Sequence, residues 1–158
     1  MSPAADVAII DSGGANLASL RYALDRLIPQ LRAPLLGICL GMQLLFEHSA
    51  EGDTQCLGVI GGRIGRLQSS PGLPVPHMGW NTLQQRREDQ LLAGIGAEDR
   101  LYFVHSFAAP VCERTLASVH YGTALCAMVA RDNFRGVQFH PERSSTAGAR
   151  ILRNFLAL

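Results

Sequence analysis

Charge is scarce in this chain and its two signs nearly cancel: 14 Lys and Arg stand against 13 Asp and Glu, for a net charge of +1. That balance leaves no electrostatic footprint for a nucleic acid or an acidic membrane surface. Apolar runs all break well short of the twenty residues a membrane span needs. The opening residues Met1-Ser2-Pro3-Ala4-Ala5-Asp6 lack the basic and hydrophobic regions of a signal peptide. The expectation is a cytoplasmic protein. Its four cysteines, Cys39, Cys56, Cys112 and Cys126, show no C-x-x-C spacing, which argues against a zinc site or a disulfide framework and suits a reducing compartment. Repeats, low-complexity tracts and linkers are also lacking. With 47% hydrophobic residues in 158, the chain can bury one substantial core, so residues 1–158 read as a single domain.

The most informative segment that is present is Gly37-Ile38-Cys39-Leu40-Gly41-Met42-Gln43. The apolar run Pro34-Leu35-Leu36 enters it and the amphipathic run Met42 to Glu47 leaves it, so Cys39 is expected on a tight strand-to-helix turn that presents a nucleophile. Glycines at 37 and 41 let backbone pass where a Cβ would collide. A helix N-terminus at this point favours the thiolate, the reactive form. The competing reading is a buried cysteine in a strand, which has no need of the flanking glycines or of Gln43.

A nucleophilic cysteine needs a base, and Gly136-Val137-Gln138-Phe139-His140-Pro141-Glu142 supplies one. Val137 and Phe139 alternate with polar neighbours, predicting a strand that delivers His140 to a sheet edge, where Pro141 stops the ladder. Two residues on, Glu142 can turn back to hold one imidazole nitrogen while the other meets sulfur, the arrangement of base plus orienter. Elsewhere, Asn16 caps a helix expected over Leu17 to Ile28. Strands are expected over Val59 to Ile64, Leu101 to Phe107, Leu116 to Tyr121 and Leu125 to Ala130. A last helix, about Thr146 to Ala157, should bury Ile151, Leu152, Phe155 and Leu156 and expose Arg150 and Arg153.

These motifs resemble the class I (triad) glutamine amidotransferases, and among them the glutaminase subunits of imidazole glycerol phosphate synthase. The residues that carry the resemblance are Val7 to Asp11 with Gly13, Asn16 and Leu17; Gly37 to Phe46; Pro76-His77-Met78-Gly79-Trp80-Asn81; Tyr102 to Phe107; and Gly136 to Glu142. The resemblance implies a flavodoxin-like α/β fold, with a central parallel sheet and a β-rich second half. It also implies a triad of Cys39, His140 and Glu142, with Leu40 N–H as an oxyanion donor and Gln43 as a glutamine-holding residue. Glu51 would lie near the substrate's ammonium, though a solvated helix end accounts for it as well. Ser106 and Phe107 would line the glutamine pocket, largely through backbone. Both His77 and His105 read as structural.

No metal or organic cofactor is implied. The implied partner is the cyclase subunit, in a heterodimer within histidine biosynthesis, with Asn16, Trp80, Asn81 and Arg143 facing it. Trp80, expected after a Pro-rich loop, has the core as its alternative location.

One departure from the family is large. Relatives carry a second strand, a helix and a third strand ending in a Pro-Gly-Val-Gly type loop before the nucleophile strand. Here the first helix runs through Pro29-Gln30-Leu31-Arg32-Ala33 directly into that strand, so the segment between 28 and 34 is short. The missing loop supplies the second backbone donor to the oxyanion in the family. Its loss takes a plank from the middle of the sheet, which reduces it and leaves strand one to pair with the nucleophile strand or a gap to remain. Two further readings follow: a cyclase-binding subunit with impaired catalysis, and another cysteine hydrolase of the same superfamily.

Overall fold

The computed structural model describes residues 28–158. The expected strand Val7 to Asp11, the first helix up to Leu27, Asn16, and the pairing of strand one with the nucleophile strand all lie outside the described residues.

Among the described residues, a five-stranded mixed sheet organises the fold. Its order is β1 (Leu35–Ile38), β11 (Phe134–Val137), β10 (Thr123–Arg131), β9 (Thr115–Tyr121) and β6 (Gln84–Gln85). β1 and β11 are parallel, with Ile38 opposite Val137, and the other pairings are antiparallel. Among the described residues β1 pairs with β11 alone. The short connector before β1 is pinned by Asn133, whose Nδ2 donates to the carbonyls of Leu31 and Ala33, both at 2.8 Å. A second sheet orders β3 (Thr54–Gln55), β2 (His48–Ser49), β4 (Arg63–Arg66) and β8 (Phe107–Ala108). A third pairs β5 (His77–Thr82) with β7 (Arg100–His105). Among the described residues the α-helices are α1 (Leu40–Gln43) and α2 (Ser145–Leu156).

Apolar side chains cover both faces of the central sheet. One layer contains Leu91, Leu101, Phe103, Val137, Phe139 and Ile151, and the other Met42, Leu45, Phe46, Ile60, Val129 and Phe134. This two-sided burial explains where sequence periodicity misleads. Gly136, Val137, Gln138 and Phe139 are all buried, not alternately so, and β11 ends at Val137. A sheet covered on both faces asks for continuous burial, not for an in-and-out pattern.

Several expected boundaries move for local reasons. The run Met42 to Glu47 continues as helix only to Gln43. The carbonyls of Leu44, Leu45 and Phe46 accept from the N–H groups of Leu57, Ile60 and Gly58 at 2.8–2.9 Å, so cross-chain partners replace helical ones. The strand expected over Val59 to Ile64 forms at Arg63–Arg66, because Gly62, at φ 119°, breaks the extended run before it. Trp80 follows the Pro-rich segment, as expected, and stands within strand β5, where it pairs with Tyr102. In α2, Ile151 is buried and Leu152 and Phe155 partly so, but Leu156 is 61% exposed because the last turn overruns the core.

Asp89 and Arg135 tie the 3-10 turn Gln90–Leu92 to β11. Asp89 Oδ1 caps the turn by accepting from Leu91 N–H at 2.9 Å, and its two oxygens take Arg135 Nε and Nη2 at 3.2 Å each. Both side chains are largely shielded from water, so removing one partner strands the other. Asp89→Ala is expected to cost about 3 kcal/mol through lost cap and lost ion pair. Urea unfolding would show it as a lower midpoint at unchanged slope.

Candidate active site

Cys39 follows β1 and precedes α1 with φ 52° and ψ −107°, a conformation that side chains rarely adopt. Its N–H donates to Val137 O at 2.8 Å, and its carbonyl accepts from Met42 and Gln43. The chain therefore reverses at the sulfur itself, as a nucleophile elbow does. Gly37 makes this possible: a Cβ there would sit 2.5 Å from the Gly41 carbonyl group. Gly41, expected to be needed for the same reason, is not: a Cβ there would meet nothing within 4 Å. Only the Gly41 backbone, pressed against Gly37, matters.

The sulfur's environment also corrects the sequence expectation of a favoured thiolate. Burial pushes the Cys39 thiol above its ordinary range, and the Glu142 and Glu51 carboxylates push the same way. The Leu40 N–H and the Gln138 amide pull it down by less. A single-turn helix has too small a dipole to offset desolvation. The thiol donates to Val104 O at 3.9 Å and accepts from Gln138 Nε2 at 3.7 Å.

His140 emerges just past the neighbouring parallel strand. Since Ile38 lies opposite Val137, Cys39 and His140 share one end of the sheet. Cys39 Sγ is in hydrogen-bond contact with Val104 and Gln138 and is also acted on by the Leu40 N–H; among the described residues His140 is not one of its hydrogen-bond partners. His140 Nδ1 bonds Glu142 Oε1 at 2.8 Å. A carboxylate oxygen only accepts, so Nδ1 carries the proton and Nε2 is left as the basic nitrogen. The turn Pro141–Arg143 holds this pair, and His140 N–H donates to Tyr102 O at 2.8 Å.

Three residues that sequence reading did not assign complete the site. Ser144, fully buried, donates through Oγ to His140 O at 2.6 Å and accepts Tyr102 N–H at 2.9 Å, locking the histidine turn to β7. Its signal was a serine directly before the last helix, a position that marks a cap. Gln138 is also fully buried, and a polar residue inside the apolar run Val137 to Phe139 was its signal. Tyr102 carries Arg143 over its ring at 4.2 Å and meets Trp80 edge-on at 5.7 Å. Trp80 itself is 48% exposed, and nothing in the sequence predicted the stack.

The remaining expected residues fall around this centre. Gln43 is buried, and its Nε2 donates to Phe107 O and Gln138 Oε1, each at 3.0 Å. Phe107 O also faces His105 Nδ1 at 2.9 Å. Ser106, between β7 and β8, accepts Leu67 N–H. Glu51 opens an exposed 3-10 turn, Glu51–Asp53, on the second sheet. Asn81 donates to His120 O at 3.1 Å. The rings of His77 and His105 bond each other at 3.0 Å and are buried; desolvation lowers both, His77 to about 4. Among the described residues, no cluster of His, Cys, Asp or Glu could hold a metal ion, and no helix is long and apolar enough to cross a membrane.

Comparison with known proteins bears on the family and the fold. The family model described as glutamine amidotransferase class-I matches residues 5–158. The chain is 44% identical over 195 aligned positions to the imidazole glycerol phosphate synthase subunit HisH of Xanthomonas euvesicatoria pv. vesicatoria, covering 97% of this chain and 98% of that protein. The HisH subunit of Xylella fastidiosa (strain Temecula1) is 43% identical with the same coverage. These 195 positions exceed the 158 residues of the chain, and both proteins align almost to their ends. Residues of the relatives without a counterpart here are therefore internal.

Among solved structures, a protein from Thermoplasma acidophilum described as a component of GMP synthase superposes with a TM-score of 0.67 at 19% identity. The match covers 88% of this chain and 63% of that one, and it supports the fold alone. The chain belongs to the class-I glutamine amidotransferases, in the family of HisH subunits of imidazole glycerol phosphate synthase.

Proposed function

We propose that this chain is a cytoplasmic glutaminase subunit that hydrolyses glutamine to glutamate and delivers ammonia to a cyclase subunit in histidine biosynthesis. The observation that carries the reading is a strained cysteine elbow and a histidine–carboxylate pair at the same end of two adjacent parallel strands. In this reading His140 Nε2 takes the Cys39 proton, and the sulfur attacks the carboxamide carbon of glutamine. The Leu40 N–H donates to the oxyanion. Collapse breaks the C–N bond as His140 returns its proton to the departing ammonia, leaving a thioester. Water, deprotonated by His140, then attacks the thioester and releases glutamate and thiol. Glu142 keeps Nδ1 protonated throughout. Both N–H bonds of Gln43 are already used, so its free Oε1 would accept from the substrate, while Glu51 would face the ammonium and Ser106 and Phe107 the pocket wall.

If His140 and Glu142 act as one unit, His140→Ala is expected to lower kcat by about a thousandfold or more, and His140→Ala with Glu142→Ala by little beyond that. Glutamate release in the presence of the cyclase measures this. Losses that multiply in full would separate the two residues.

The partner reading rests on Trp80, Asn81 and Arg143, which Asn16, outside the described residues, joins through the family resemblance. Trp80 is half-exposed on β5 and, through Tyr102, stacks toward Arg143 beside Glu142. Trp80→Ala is expected to weaken cyclase binding tenfold or more, roughly 1.4 kcal/mol and upward. Melting of the isolated chain should move far less. Calorimetric titration of the two proteins, set beside thermal unfolding, tests it.

A second reading, an impaired protein that docks on the cyclase but turns over glutamine poorly, is favoured by the short connector before β1 and the unmatched internal residues of the relatives.

A further inference from the structure

Gln138 lies wholly inside the protein, yet its side chain is directed to the nucleophile. Its backbone is fixed by an N–H bond to Ala127 O at 2.9 Å, and it stands opposite Cys39 because Cys39 N–H takes the carbonyl of Val137. The orientation of its amide follows from its neighbours. Phe107 O can only accept, so the group Gln43 turns toward it is the NH2. The second proton of that NH2 then faces Gln138, which must present its oxygen at 3.0 Å. That leaves the Gln138 NH2 aimed at Cys39 Sγ, 3.7 Å away. The chain of donors runs one way, from Gln43 to Gln138 to sulfur.

We propose that Gln138 is a positioning residue for the nucleophile: its amide, held by Gln43, donates to Cys39 Sγ and supports the sulfur as it becomes an anion. The proposal rests on the reading of Cys39 as the nucleophile. Several groups around the sulfur oppose the anion. Glu142 and Glu51 repel it, and the Val104 carbonyl accepts from the neutral thiol. On the other side stand the Leu40 N–H and the Gln138 amide, with His140 as the acceptor of the proton. Within a buried site a donor to the charged form carries more weight than it would in water.

The test is the pH dependence of Cys39 alkylation by iodoacetamide in the full chain, followed on the Cys39 peptide by mass spectrometry so that the other cysteines do not contribute. In Gln138→Met, which keeps length and removes the donor, the midpoint is expected to rise by about one pH unit, with alkylation near neutrality about tenfold slower. With the cyclase present, kcat falls and KM holds. A folded Gln138→Met protein whose midpoint is unmoved overturns the proposal. If that variant does not fold, the unmutated chain decides. The side-chain NH2 resonances of Gln138 should titrate with the Cys39 midpoint, and resonances that stay still through it overturn the proposal equally. Failure of the nucleophile reading shows up separately, as glutamine turnover that survives Cys39→Ser.

Discussion

Replacing Cys39 by alanine or serine is expected to abolish glutamine hydrolysis, a loss of about four orders of magnitude or more, with the fold retained. In the proposed mechanism, loss of the nucleophile removes the covalent route altogether and leaves only binding and the proposed Leu40 oxyanion donor. The fold should survive because Cys39 is only partly buried and its structural bonds are those of its backbone to Val137, Met42 and Gln43. Alanine at the same φ of 52° carries the same strain that cysteine already bears. A glutamine-analogue electrophile gives the complementary result. It should label Cys39 and spare Cys126, which is wholly buried and whose thiol burial pushes up to about 12. Label spread evenly over Cys39, Cys56, Cys112 and Cys126 would refute the assignment. So would turnover that survives Cys39→Ala.

Restoring the absent segment by insertion after Leu27 is expected to raise glutamine turnover by about a hundred- to a thousandfold. The resemblance to the family implies two backbone donors at the oxyanion, and removing one such donor costs roughly 3 to 4 kcal/mol. In this chain the connector passes from the turn Ile28–Gln30 into β1 with its carbonyls clamped by Asn133. A segment inserted after Leu27 would enter ahead of that clamp. By the family resemblance it would bring the loop that supplies the second N–H and walls the glutamine pocket. The measurement is glutamate release with the cyclase bound, for the 158-residue chain and for the restored one. Equal rates would mean that another backbone N–H already serves the oxyanion.

How far the site could be read in advance depended on whether its chemistry was local in sequence. The Cys39 turn is local: two glycines and a cysteine between an apolar run and a helix define it, and the structure adds that Gly37, not Gly41, is the position where a Cβ would collide. The 2.8 Å bond of His140 to Glu142 is local too, spanning two residues. By contrast, Gln138 meets Gln43 across 95 positions and Cys39 across 99. Ser144 reaches Tyr102 across 42. No periodicity carries such information, because each partner looks like an ordinary polar residue until the sheet brings the two together.

Sequence by itself determined the α/β class, the family, the cysteine elbow and the histidine–carboxylate pair, since each follows from residue types at short spacing. Tertiary structure alone decided that both faces of the central sheet are buried, which cancels the alternation expected around Val137 and Phe139. It decided that the helix after Cys39 stops at Gln43, because carbonyls at 44–46 find partners at 57–60. Charge state at the sulfur was decided there as well. A helix start argues for thiolate, but the cost of removing a charge from water depends on everything packed around it, and at Cys39 burial and two carboxylates outweigh the Leu40 and Gln138 donors.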